Sequence, residues 1–137
     1  MEILNLILSA SLLTLILLIQ LLHYPSFSYY DSTTFAQAMQ FHQQRISWVV
    51  IPLMLAELAV CLWLVIERGG LLAWGGLTMV GLIWLVTYTQ QVPAHQKLLE
   101  GKNEELILRL TKGNWLRTGL WTLKLAIAVM MAELELQ

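Results

Sequence analysis

The chain has 137 residues, of which 58% are hydrophobic and 12% charged, with a formal net charge of −1 and a mean hydropathy of +0.66. Soluble domains carry roughly a quarter charged residues, so this composition excludes an ordinary soluble fold and reads as one integral membrane unit over residues 1–137. With no basic excess, nucleic acid is excluded as a partner, and the single cysteine, Cys61, excludes an intrachain disulfide.

The N-terminus lacks the basic region and small-residue cleavage site of a secretory signal, so its apolar run reads as a retained first helix over residues 3–22, interrupted only by Asn5, Ser9, Ser11, Thr14 and Gln20. About 20 such residues cross a ~30 Å hydrocarbon core. The segment HYPSFSYYDS then ends the helix, with Pro25 as breaker, His23 at the membrane edge and Tyr24, Tyr29 and Tyr30 suited to an interface. From Ser32 the run STTFAQAMQFHQQR predicts a short interfacial helix. A second span follows over 46–66, with Pro52 inside it, and Glu67, Arg68, Gly69 and Gly70 make a tight turn.

The third span covers 71–92, where Gly75, Gly76 and Gly81 allow close approach of another helix. Pro93 ends or kinks it. Residues 96–110 form a charged amphipathic stretch, and Gly113 and Asn114 supply a break and a cap before a fourth span over 115–134. No internal repeat is evident. The expected fold is therefore all-α, an integral membrane four-helix bundle with a short interfacial helix between helices one and two. The side holding Arg45, Lys97, Lys102, Arg109, Lys112 and Arg117 is the basic one, which the positive-inside rule places in the cytoplasm with both termini outside. A bacterial inner membrane is the expected location.

Ionisable residues inside spans are expensive, and Glu57 and Lys124 fall at nearly equal depth in helices that run the same way. A buried Glu57 to Lys124 ion pair is expected, either fixing helix register or serving a site. Each helix also carries a polar stripe near the basic side. Helix four has Asn114, Arg117, Trp121, Lys124 and Ala128; helix three has Trp84, Thr87, Gln91 and His95; helix two has His42, Arg45, Val49, Leu53 and Glu57; helix one has Ile16, Gln20 and His23. Four converging stripes predict a polar pocket.

For that pocket the expected catalytic residues are His23, His42, His95, Arg45 and Arg117, and the expected substrate contacts are Tyr24, Trp84, Thr87, Gln91, Asn114 and Trp121. Arginine and amide donors fix substrate oxygens, and histidine moves protons near neutral pH. His23, His42 and His95 are also the candidate ligands of a transition metal or haem. The sequence has no HExxH, CxxC, GxSxG or phosphate-cradling glycine loop.

In VPAHQKLLEG and NWLRTGLW, the chain resembles the anthrone-oxygenase-like family of small four-span membrane proteins (DUF1772). Val92, Pro93, Asn114, Arg117 and Thr118 match the family's turn after helix three and the N-x-x-R-T opening of helix four, whereas His95 stands where asparagine is frequent. The resemblance implies an oxygenase-like role on an aromatic or quinone-like substrate. The expected function is thus a membrane-embedded small-molecule-binding protein, oxidoreductase- or oxygenase-like. The alternatives are a non-catalytic accessory subunit of a membrane complex and a haem- or metal-binding membrane protein. Expected partners are the lipid bilayer, an apolar small molecule, and a second copy or other subunits of a membrane assembly.

Overall fold

A computed structural model describes residues 1–135 of the chain. Four long helical segments account for almost all of it: α1 (Glu2–Tyr29), α2 (Phe35–Glu67), α3 (Gly70–Leu98) and α4 (Glu104–Glu135). Consecutive helices pack side by side and α1 closes the ring against α4, so the bundle runs up-down-up-down, with α1 facing α3 and α2 facing α4 across the diagonals. The tight turn forms where expected: Gly69 and Gly70 take φ of 59° and 77°, a region where a Cβ would be strained.

Three helices, α1, α2 and α3, are long and apolar enough to cross a membrane. The polar residues of α4 explain why it is not among them, yet Asn114, Arg117, Thr118 and Lys124 are all buried against the other helices. Between Trp115 and Ala132, what α4 shows outside is almost wholly apolar, including Trp115, Leu116, Leu123, Val129 and Met130, whereas Glu104, Glu105, Arg109, Lys112, Glu133 and Glu135 are exposed toward its two ends. Within that stretch the helix is amphipathic with its polar side inward.

The helix boundaries correct the sequence reading in two places. The expected interfacial helix is not a separate element, because α2 runs unbroken from Phe35 through Pro52 to Glu67. Nothing between Phe35 and Ile46 breaks helical geometry. Likewise Gly113 and Asn114 neither break nor cap a helix, since α4 begins at Glu104 and the cap is Asn103, whose side chain accepts the Leu106 N–H at 3.0 Å. Gly113 instead permits a close approach, as a Cβ there would lie 3.4 Å from the Gln90 side chain of α3.

Although no repeat shows in the sequence, the two hairpins share a layout. Residues Ile19–His23 of α1 and Thr87–Gln91 of α3 both form a π-turn, and in each a proline, Pro25 or Pro93, follows one residue after the next. A proline lacks its N–H and crowds the carbonyl one turn back, and a wider turn relieves both problems. These two bulges carry Gln20, His23, Thr87 and Gln91 into the same end of the bundle.

Lys102, in the α3–α4 connection, closes that end by donating to the Ser28 carbonyl at 2.7 Å and the Tyr30 carbonyl at 3.0 Å, a cation at the C-terminus of α1. Beside it, the Thr33 main-chain N–H and hydroxyl hold the exposed Asp31 carboxyl below its ordinary range. At the opposite end Arg68 bridges Glu2, at 2.9 Å, and Glu135, which ties the α2–α3 turn to both chain ends.

Candidate functional site

Two buried polar layers run across the bundle. The first is centred on Glu57 of α2 and Lys124 of α4, which meet across the diagonal at 2.6 Å with neither side chain exposed. An ammonium has three protons, and all three are used: Lys124 also donates to Asn5 Oδ1 at 2.7 Å and to Ser9 Oγ at 2.9 Å. The Ser9 hydroxyl lies 2.7 Å from Glu57 Oε1 and 2.8 Å from the Asn5 carbonyl oxygen, and its one proton serves either. Helix α3 contributes room: a Cβ on Gly76 would lie 3.6 Å from Lys124 Cε. All four helices therefore build this layer, which falls between the apolar cluster of Leu8, Val60, Leu64, Ala73 and Met131 and the larger one containing Leu12, Ile16, Met54, Ile83 and Trp121.

The second layer lies at the π-bulged end and contains most of the residues singled out from the sequence. His42, His95, Arg117, Tyr24, Trp84, Thr87 and Gln91 line one cavity of about 220 Å³ between α2 and α3, floored by Ile19 and Met54 and rimmed by Ile51 and Tyr88. Asn114 stands behind it as a positioning residue. Its amide donates to Gln20 Oε1 at 2.8 Å and its oxygen accepts from Arg117 Nη1 at 3.1 Å, while Gln20 Nε2 donates to the Thr111 carbonyl at 3.0 Å. The Tyr24 hydroxyl donates to Gln91 Oε1 at 3.3 Å.

Two residues that line the cavity carry donors with nothing to donate to. Arg117 is only 4% exposed, and among the described residues it has no carboxylate partner; its Nε and the Trp84 Nε1 are both buried without a hydrogen bond. Buried polar groups are nearly always paired, and a buried charge left uncompensated is costlier still. Arg117 and Trp84, which both line this cavity, each carry one such donor.

The histidines divide the region in two. His23 Nε2 and His42 Nδ1 are in hydrogen-bonding contact, with ring centroids 3.9 Å apart. His42 lines both the cavity and an open groove on the far side, which His23 shares with Tyr30, Thr34 and Arg45. His95 Nδ1 bonds the Gln91 carbonyl oxygen at 2.8 Å, and a carbonyl only accepts, so the proton sits on Nδ1 and Nε2 is a bare acceptor in the neutral ring.

Several expectations change in this geometry. His23, His42 and His95 do not make a metal set: among the described residues no three His, Cys, Asp or Glu side chains are arranged to hold an ion. Ligands at ~2.0–2.1 Å from one metal need their nitrogens spaced apart, whereas here His23 and His42 bond each other. Arg45 is not in the cavity; it is exposed in the outer groove, stacked 5.3 Å over Phe41. Trp121 is 1% exposed and belongs to the apolar core rather than to a substrate contact.

Gln20 behind Asn114 was expected only as a member of the helix-one stripe, and Asn5 and Ser9 around Lys124 were not among the expected site residues. Their only sequence signal is that Asn5 and Ser9 are polar and one helical turn apart in an otherwise apolar run. Comparison with protein-family models, with curated proteins and with solved structures finds no match to this chain.

Proposed function

We propose that this is a four-span membrane protein whose cavity at the π-bulged end binds an apolar small molecule bearing oxygen functions, with His42 and His95 placed to exchange protons with it. The observation that carries this reading is the pair of buried, unpartnered donors, Arg117 Nε and Trp84 Nε1, on two residues that line one cavity between α2 and α3. A membrane frame is supported by the exposed aromatics. Trp63 and Trp74 lie near one end, and Trp48, Tyr88 and Trp115 form a second level, roughly 22 Å away along the helices at 1.5 Å per residue. Aromatic belts sit at both interfaces of a bilayer, and the surface between these levels is apolar, α4 included. Its inward polar side, satisfied within the bundle, is compatible with a fourth span.

In this frame the imidazoles sit at the level of the headgroups and Trp84 and Met54 lie deeper. His23 faces the outer groove and touches His42, so a proton entering from water passes along two imidazoles to reach the cavity. Proton transfer to a bound oxygen is the chemistry expected of an oxidoreductase- or oxygenase-like protein. The matches at Val92, Pro93, Asn114, Arg117 and Thr118 agree with that direction.

Thr87→Trp tests the pocket, because the Thr87 hydroxyl bonds only the Ile83 carbonyl in its own helix, at 2.7 Å, and the larger side chain fills the cavity. Protein purified in mild detergent is expected to retain an extractable apolar compound at near one per chain by native mass spectrometry, and the variant to lose it. Equal loading of the two proteins would remove the pocket from the reading. The absorption spectrum of the same samples reports any chromophoric cofactor.

The distribution of basic residues supports an orientation with the π-bulged end in the cytoplasm and both termini outside. Cys61 is buried, so introduced thiols report cleanly. Ile66→Cys is expected to react with an impermeant maleimide on intact cells, and Glu100→Cys only after permeabilisation. The opposite pattern would turn the pocket toward the outer water phase.

A further inference from the structure

We infer that the occupant of this cavity is a carboxylate on an apolar body, entering sideways from the lipid between α2 and α3. The inference rests on the pocket reading above and adds the charge of the ligand and its route. The charge follows from Arg117. A guanidinium is never neutral in a protein, this one is 4% exposed, and the groups around it are neutral: Asn114 accepts from Nη1, and Tyr24 stands beside it.

No described carboxylate reaches Arg117, since Glu57 is committed to Lys124 and the remaining pairs, Glu2, Glu104 and Glu135, lie at the ends of the helices. One buried positive charge with a free N–H, plus a free indole N–H, asks for one negative charge carried on oxygen. A phosphate would call for further cations, but Lys97, Lys112 and Arg109 line a different surface, between α3 and α4. A phenol would first have to give up a proton that a carboxylic acid has already lost at neutral pH.

The route follows from the lining. Apart from Ile19, Tyr24 and Arg117, every wall residue belongs to α2 or α3, and the lips are Ile51, 49% exposed, and Tyr88, 75% exposed. Both lie within or at the edge of the apolar band between the two aromatic levels. A molecule reaching Arg117 through this slot keeps its body against Ile46, Val50 and Met54 and its tail in lipid, while its head lies beside His95 and Gln91.

Spin-labelled stearate, with the nitroxide near the head, and its methyl ester provide matched probes in phosphatidylcholine nanodiscs. Electron paramagnetic resonance is expected to show an immobilised fraction for the acid that saturates near one per chain and is displaced by unlabelled dodecanoate, with at least tenfold weaker binding of the ester. Asn114→Asp places a carboxylate where Arg117 already has a partner, and is expected to abolish the acid's immobilised fraction; Arg117→Gln should do the same. If either variant fails to fold, Thr87→Trp, which blocks the slot and spares Arg117, must give the same loss. Equal immobilisation of acid and ester would overturn the carboxylate while leaving a pocket for neutral apolar molecules. Absence of a saturable fraction for both probes, or one unaffected by all three variants, would overturn the carboxylate and the pocket together.

Discussion

Glu57→Leu and Lys124→Met are each expected to destabilise the bundle by about 3 to 5 kcal/mol, the usual cost of leaving one member of a buried pair without the other. The double variant is expected to be milder than either single change. Lys124 alone would leave an ammonium facing Asn5 and Ser9, which solvate but do not neutralise it; Glu57 alone would keep only the Ser9 hydroxyl, with Oε2 already lacking a partner. Removing both charges removes the debt of desolvation along with the attraction. Thermal unfolding in detergent of the wild type, both singles and the double gives the coupling energy directly. Additive losses would show that the 2.6 Å contact does not couple the two helices. Since α2 and α4 face each other across the diagonal, this pair is also the one ion pair between them among the described residues.

Asn114→Leu should be the most damaging neutral substitution at the other layer. It strands Gln20 Oε1 and Arg117 Nη1 at once, and each stranded buried group costs about 1 to 3 kcal/mol, more for the charged one. A loss of about 3 kcal/mol or more is expected, accompanied by loss of the bound ligand because Arg117 is no longer held. Gln20→Leu breaks the same hydrogen bond from the other side while leaving Arg117 in place, so it is expected to cost stability but to spare binding. Identical ligand affinity in Asn114→Leu and the wild type would show that Asn114 does not position the guanidinium.

The sequence by itself determined the four long helices, their order and the shared level of Glu57 and Lys124, but not that the segment from Phe35 belongs to the second helix. Depth along a helix is only 1.5 Å per residue counted from a turn, which is why Glu57 and Lys124 were expected at one level and are found there in contact. The stripe on α4 was equally legible, and Asn114, Arg117, Trp121, Lys124 and Ala128 are all buried. Rotation about the helix axis is a different matter. Arg45 and Trp121 have the right depth, but Arg45 turns to the outer groove and Trp121 into apolar packing, because azimuth depends on neighbours that a single helix does not specify.

Only the tertiary structure decided three further things. Pro25, read as a helix stop, and Pro93, read as a stop or a kink, lie inside longer helices just after π-bulges, since packing holds the chain helical and the bulge absorbs the missing N–H. Small polar residues of α1, Asn5 and Ser9, became the ligands of a lysine more than a hundred positions away. Arg117 became a cation without a counter-ion among the described residues, a property no residue has alone, because it is defined by what the three other helices bring beside it and what they leave out.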